Sequence, residues 1–213
     1  MFASIQKLYQ EAEQINGFTV PAFNLRTLTF DMARALFKSA KKRNTGAFII
    51  ELAQSEMRYT DQTPQEYAEN IKKASEAEQF QGPIFLQGDH FKLKENTSEN
   101  IKELEELITE SIQAGFYNID IDCSSLSLEE NIKQTNYFID FINNTEISIG
   151  GEVGQIGKEN TSPHDLEQFL DKVKGISKVA VQTGTAHGRG GEVDFKLVEE
   201  LGKIAKKHGL AGI

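Results

Sequence analysis

The sequence predicts an α/β fold, a (β/α)8 TIM barrel that is incomplete in this chain, on three observations. Short apolar runs alternate with amphipathic helical patterns along the length of the chain, which means parallel strands covered by helices. Polar residues recur at the end of one run after another: Asn24, Asp89-His90, Asp122, Glu152 and His187. Many strands feeding one site at their carboxyl ends is the pattern of a barrel. An open nucleotide-binding sheet would carry a glycine-rich phosphate turn after its first strand, whereas the stretch Asn24-Leu-Arg-Thr-Leu-Thr29 has no glycine. The pattern amounts to about six βα units and the start of a seventh strand, read as one truncated barrel domain over residues 1–213; closure needs eight strands.

In chain order, Ile5, Leu8, Ala12 and Ile15 fall at helical spacing over 3–16 and Asn16-Gly17 stops the run. Residues 18–24 read as a first strand and 28–43 as a helix, with Phe30, Ala33, Leu36, Phe37 and Ala40 on one side and Lys41, Lys42 and Arg43 at its negative end. Residues 47–53 form a second buried strand. Thr63-Pro64-Gln65-Glu66 is a capping box opening a helix to about Gln79. Ile84-Phe-Leu-Gln-Gly-Asp-His90 follows Gly82-Pro83 and reads as a third strand. A helix over 98–114 stopped by Gly115, a strand over 117–122, a helix capped at Ser127 and a strand over 146–152 come next. Ser162-Pro163 opens a helix through Val173, 178–183 is a sixth strand, and a helix over 194–208 closes at Gly209. Residues 210–213 look like a seventh strand just begun.

The net charge of −9, spread along the helices, argues against a nucleic-acid or membrane-surface protein. A local cationic cluster could still bind a phosphate. One cysteine, Cys123, makes neither a disulfide framework nor a thiolate metal site, and fits a reducing cytoplasm. No signal-peptide core and no run of eighteen apolar residues occurs.

Asp89-His90 sets a carboxylate and an imidazole side by side at a strand end, where both can turn toward one pocket. That pair suits a metal ligand beside a proton-transfer group; the plain alternative is a loop-capping Asp and a packed His. His187, between Ala186 and Gly188, ends the sixth strand in the same style, as Glu152 ends the fifth. Imidazoles from separate strands suit a zinc site with an open position. His164 and His208 lie in helix termini and read as surface residues. No strand end offers a buried lysine for an imine.

Four motifs in order, Val20-Pro-Ala-Phe-Asn24, Gly88-Asp-His90, Gly151-Glu-Val-Gly154 and Gly184-Thr-Ala-His-Gly188 with Val193-Asp-Phe195, resemble the class II fructose- and tagatose-bisphosphate aldolases. The forms Gln87-Gly-Asp-His-Phe91 and Tyr117-Asn-Ile-Asp-Ile-Asp122 are most similar to a less-studied branch. The resemblance implies a carbon–carbon lyase of carbohydrate metabolism, of the glycolytic kind, in the cytoplasm. It would cleave and condense a ketose bisphosphate, dihydroxyacetone phosphate plus an aldehyde, through a zinc-stabilised enediolate. It implies zinc and, as a second ion, a monovalent cation. The partner is a phosphorylated sugar, not nucleic acid or membrane, in a homodimer or higher homo-oligomer. Carried over by motif, His90 and His187 are zinc ligands, with Glu152 an auxiliary ligand. Asp89 is the acid/base at the hydroxyl bordering the scissile bond, Gly188 a backbone contact to phosphate, and Asn24 a polar substrate neighbour. The proton-abstracting glutamate of the mobile loop falls at Asn160, or at Glu159 with a one-residue slip. Gly150 stands where many relatives carry another acid, and Ala53 where a serine is frequent. The third zinc histidine and the rest of the phosphate loop are expected beyond Ile213. Two other readings stay open: a zinc-dependent sugar-phosphate epimerase or isomerase, and a non-catalytic sugar-phosphate-binding barrel.

Overall fold

Five of the helices start where a short polar side chain can accept from a free backbone N–H of the first turn. Thr63, Thr97, Ser127 and Ser162 each accept from the residue three positions on, and Asp194 accepts from Lys196 and Leu197. In the computed structural model, which describes residues 2–12, 19–155, 158, 160–184 and 192–210, these caps separate helices from strands as the periodicity predicts. The helices are α1 Gln6–Ala12, α2 Thr29–Arg43, α3 Gln54–Thr60, α4 Pro64–Ala77, α5 Ser98–Ala114, α6 Leu128–Ile142, α7 Pro163–Lys172 and α8 Phe195–Lys207. The strands are β1 Ala22–Asn24, β2 Ile49–Ala53, β3 Phe85–Lys92, β4 Asn118–Asp122, β5 Ser148–Val153 and β6 Lys178–Val181. All pair in parallel in the order β1-β2-β3-β4-β5-β6. This is an α/β sheet curled into an incomplete (β/α)8 barrel.

Strand alternation divides the side chains between two environments. Ile50 and Leu52 of β2, Leu86 and Phe91 of β3, and Ile119 and Ile121 of β4 face the helices, in one apolar cluster with Phe37, Ile71, Ile108 and Phe138. Phe37, Phe48 and Phe80 stack there with centroids 4.8–6.2 Å apart. A buried aromatic of this size contributes about 1.5–3 kcal/mol through area alone. The opposite face of the strands starts apolar, with Ile49 and Phe85 packed on Ile5. The segment holding Ile5 thus crosses the amino ends of the strands. Asn118, fully buried, ties it down: Asn118 Oδ1 accepts from the Ile5 N–H (2.9 Å), and its amide donates to the Ala3 and Leu86 carbonyls (3.4 and 2.7 Å).

Most elements match the sequence expectation to within a few residues, and the differences that shape the site are these. The first strand is confined to Ala22–Asn24, since Pro21 has no N–H to give a ladder. Gln54–Thr60, unexpected from the sequence, is helical because Glu56 turns back to accept from the Ala53 N–H (3.0 Å). The third strand runs two residues past His90, to Lys92. The expected seventh strand falls on residues 211–213, outside the described residues, apart from Leu210, which has no strand assignment.

Candidate active site and metal centre

The extension of β3 comes from one irregularity. His90 has φ of +48°, a left-handed conformation that costs a non-glycine residue about 1–2 kcal/mol. The pairing with β4 slips at the same place, between Gly88 and Phe91. This bulge turns Asp89 and His90 toward the same cavity, where strict alternation would put them on opposite faces. Gly88 permits the turn: a Cβ there would lie 2.3 Å from the Phe91 ring. Such strain is found where a site needs it.

The cavity, of about 800 Å³, opens at the carboxyl ends of β1 to β5. At its centre His90 Nδ1 lies 2.9 Å from Glu152 Oε2 and 3.4 Å from Asp122 Oδ2, and His90 Nε2 lies 3.8 Å from Asp89 Oδ1. Asp122 is also held by Lys92 Nζ (2.9 Å) and by the Ser124 N–H and hydroxyl (2.9 and 2.6 Å). Asn24 donates to Glu56 Oε2 (3.1 Å) and Asp89 Oδ2 (3.4 Å), so β1 fixes the orientation of Asp89.

The charges show what the centre can hold. Hydrogen bonds to Asp122 and Glu152 push the His90 imidazolium up to about 11. Burial would raise Asp122, but hydrogen bonds from His90 and Ser124 and the Lys92 ammonium hold it well below the usual carboxylate range. Burial, and then the Asp122 charge, push Glu152 up despite its hydrogen bond from His90. Burial also raises Asp89, by more than the His90 charge lowers it. One imidazole among three carboxylates makes a place that favours a cation. Ligand atoms of His90, Asp122 and Glu152 lie within 4.8 Å of one another, and a mixed nitrogen and oxygen donor set is one that zinc accepts. These residues fit a divalent metal.

Of the residues singled out from sequence, Asn24, Asp89, His90 and Glu152 therefore meet in one cavity. Glu159, His187 and Gly188 lie outside the described residues. His164 is exposed, as expected, whereas His208 is half-buried 3.8 Å from Asp171; neither lines the cavity. Asp122 belongs to the metal-sized cluster and was legible only as a polar strand end. Two half-buried lysines nevertheless stand at strand ends, neither of them among the buried residues. Lys92 ends β3 beside Asp122, and Lys178, at the amino end of β6, reaches into the barrel.

Lys178 belongs to a polar row beneath the centre. Its ammonium donates to Asp120 Oδ2 (2.8 Å) and Gln87 Oε1 (2.5 Å), and the Gln87 amide donates to Glu51 Oε2 (2.6 Å). Gly150 makes room for it, since a Cβ there would meet Asp120 Oδ1 at 2.3 Å and Lys178 Cε at 3.0 Å. Burial would lower Lys178, but Asp120, Tyr9 and Glu51 together raise it, so it stays an ammonium. Burial first, and then the Asp89 charge, push Glu51 up to about 8 against the opposing charges of Lys178 and His90, with Asp120 adding to the rise.

A raised carboxyl binds its extra proton in the folded state, so Glu51 costs stability as pH climbs from its ordinary range through about 8. Glu51→Gln keeps an acceptor for Gln87 and removes that slope. Chemical denaturation should find the variant more stable than wild type at pH 9, by a few kcal/mol at most, with a much smaller gain at pH 5. Equal pH slopes for the two proteins would contradict this account of Glu51.

Residues 3–211 match the family model described as fructose-bisphosphate aldolase class-II. Among solved structures, the chain is similar to the YdjI aldolase from Escherichia coli K12, with a TM-score of 0.73 and 18% identity over 96% of this chain and 70% of that one. It is also similar to fructose-bisphosphate aldolase (Fba) from Campylobacter jejuni, with a TM-score of 0.69 and 21% identity over 97% of this chain and 64% of that one. The chain thus spans about two thirds of the length of these structures. At such identities the likeness speaks to fold, and the family match carries the rest.

Proposed function

The chain belongs to the class-II fructose-bisphosphate aldolase family, and from that premise we propose that it cleaves and condenses a ketose bisphosphate, with dihydroxyacetone phosphate as one product. The observation that carries this reading is the bulge at His90, which brings Asp89 and His90 into one cavity with Asp122 and Glu152. We take residues 1–213 as part of one barrel domain working in the cytoplasm, where a buried free thiol such as Cys123 persists.

His90 and Glu152, with Asp122 beside them and, by its motif, His187, are the residues that would hold zinc. Bound there, the ion would supply Lewis-acid stabilisation of the enediolate. Everything else falls to the chain. Asp89 takes the proton of the hydroxyl bordering the scissile carbon–carbon bond. As that bond breaks, its electron pair stays on the dihydroxyacetone phosphate fragment and the hydroxyl carbon becomes the aldehyde carbonyl. A carboxyl raised by burial lies closer to neutral pH, where one group can both accept and return a proton. Asn24, shared between Asp89 and Glu56, keeps the carboxylate turned to the substrate. The family's proton-abstracting glutamate falls by motif at Asn160 or, with a one-residue slip, at Glu159, which would then move the second proton, at the carbon of the enediolate. Gly188 offers its backbone N–H to phosphate.

The direct assay incubates the zinc-supplemented protein with fructose 1,6-bisphosphate and tagatose 1,6-bisphosphate and follows triose phosphate release. Absence of cleavage with both sugars would count against the reading. Interconversion of the two without cleavage would favour an epimerase instead.

A further inference from the structure

The strained turn at His90 is held on both sides. Beyond it, the Lys92 N–H donates to Gln54 Oε1 (2.8 Å), the Lys92 ammonium lies 2.9 Å from Asp122, and the Leu93 N–H donates to the Asp122 carbonyl (2.9 Å). Before it stands Gln87, only 2% exposed, whose side-chain amide is gripped at both ends. Its Oε1 accepts from Lys178 Nζ (2.5 Å) and its Nε2 donates to Glu51 Oε2 (2.6 Å). The amide fits only this way round, since the reverse would set its N–H groups against an ammonium, which has no lone pair to offer. Lys178 comes from β6, three places along the sheet from β3. Asp120, Gly150 and Lys178 are register partners in one row across β4, β5 and β6. Neighbouring strands lie about 4.8 Å apart, so Lys178 passes over a whole strand to reach Asp120, and Gly150 leaves that path open.

We propose that Lys178 is a positioning residue: it reaches across the barrel to Gln87 and, through that amide, holds Gly88-Asp89-His90 in the turn that brings both side chains into the cavity. That this segment carries an acid/base and a metal ligand rests on the aldolase reading above; the clasp itself does not. A left-handed backbone at a residue other than glycine, as at His90, persists only where its surroundings over-determine it. Lys92 and its neighbours do so from one side of the turn and Lys178 from the other. An ion pair contributes little net stability whether exposed or buried, and the Lys178 and Asp120 side chains are 21% and 23% exposed. What the clasp supplies is placement: Asp120 aims the ammonium, the ammonium fixes the Gln87 amide, and Gln87 fixes β3 one residue before its pairing slips.

The test is hydrogen exchange, read by mass spectrometry, on the 213-residue chain with no metal added. Lys178→Met alone would leave the Asp120 charge stranded, so it is combined with Asp120→Asn, which leaves no unpaired ion. Backbone amides over 89–93 should exchange at least about tenfold faster in this double variant, with the helices α4 and α5 unchanged. Gln87→Met should have the same local effect, because the clasp acts through that amide. Unchanged exchange over 89–93 in either variant would overturn the proposal. So would a rise shared equally by α4 and α5, which is what a merely structural pair would give by weakening the whole domain. In a protein that cleaves ketose bisphosphates, kcat of the double variant should also fall by about a hundredfold, the effect of a small misplacement, with KM little changed; an unchanged kcat there would count against the proposal. The exchange readout needs neither metal nor turnover, so failure of the aldolase reading would show separately in the cleavage assay.

Discussion

Asp89→Ala is expected to lower turnover of a ketose bisphosphate by about a hundred- to ten-thousand-fold while leaving zinc content unchanged. Asp89 stands next to the metal-sized cluster without joining it: the three groups that converge are His90, Asp122 and Glu152, and the nearest Asp89 oxygen is 3.8 Å from His90 Nε2. Removing it therefore takes away a proton acceptor and spares the ligands. The variant should also fold. Ala53 is its register partner on β2, and Asn24 keeps Glu56 as an acceptor at 3.1 Å. Steady-state turnover beside elemental analysis checks the split. If zinc is lost in proportion to activity, Asp89 is a ligand and the assignment is wrong.

Exhaustive chelation is expected to abolish turnover, added zinc to restore it, and borohydride with substrate to leave the protein unmodified. The alternative chemistry for this bond cleavage is an imine on a neutral lysine. Among the described residues two lysines reach toward the interior, and each is paired with an aspartate. Lys178 is clasped by Asp120 and Gln87, with Asp120 and Glu51 raising its affinity for the proton. Lys92 lies 2.9 Å from the strongly acidic Asp122. An ammonium in an ion pair has no lone pair with which to attack a ketone. On the aldolase reading, stabilisation of the developing negative charge would then fall to a divalent cation, which His90, Asp122 and Glu152 would hold. Full activity in chelator, or covalent trapping at Lys92 or Lys178, would sink the metal route.

The helix starts at Thr63, Ser127 and Ser162 were legible because a cap is a local event, made by a side chain and an N–H three residues away. The positions of Asn24, Asp89, His90 and Glu152 at or near the carboxyl ends of their strands were legible because an apolar run interrupted by a polar residue marks where a strand approaches its end. The helix Gln54–Thr60 was missed because its start is capped by Glu56 reaching backwards, with alanine at the cap position.

The deeper polar row was harder to see. Glu51, Gln87 and Asp120 each lie two residues before a cavity position on their strands, so a period of two was available to flag them. Nothing in that period says which will pair. Lys178 meets Gln87 and Asp120 across 91 and 58 residues of chain, and Gly150 matters only because Asp120 and Lys178 fill the space beside it. The order of residues by itself determined the βα alternation, the parallel sheet and the set of polar groups delivered to one end of it, since each follows from local period and local capping. Only the tertiary structure decided that β3 bulges at His90 to turn two adjacent side chains into one cavity. It also decided which carboxylates crowd that imidazole and that Lys178, drawn into the barrel, remains charged. Those outcomes depend on register, curl and burial, which are set by strands far apart in the chain, and burial is what turns an ordinary carboxyl or amine into a perturbed one.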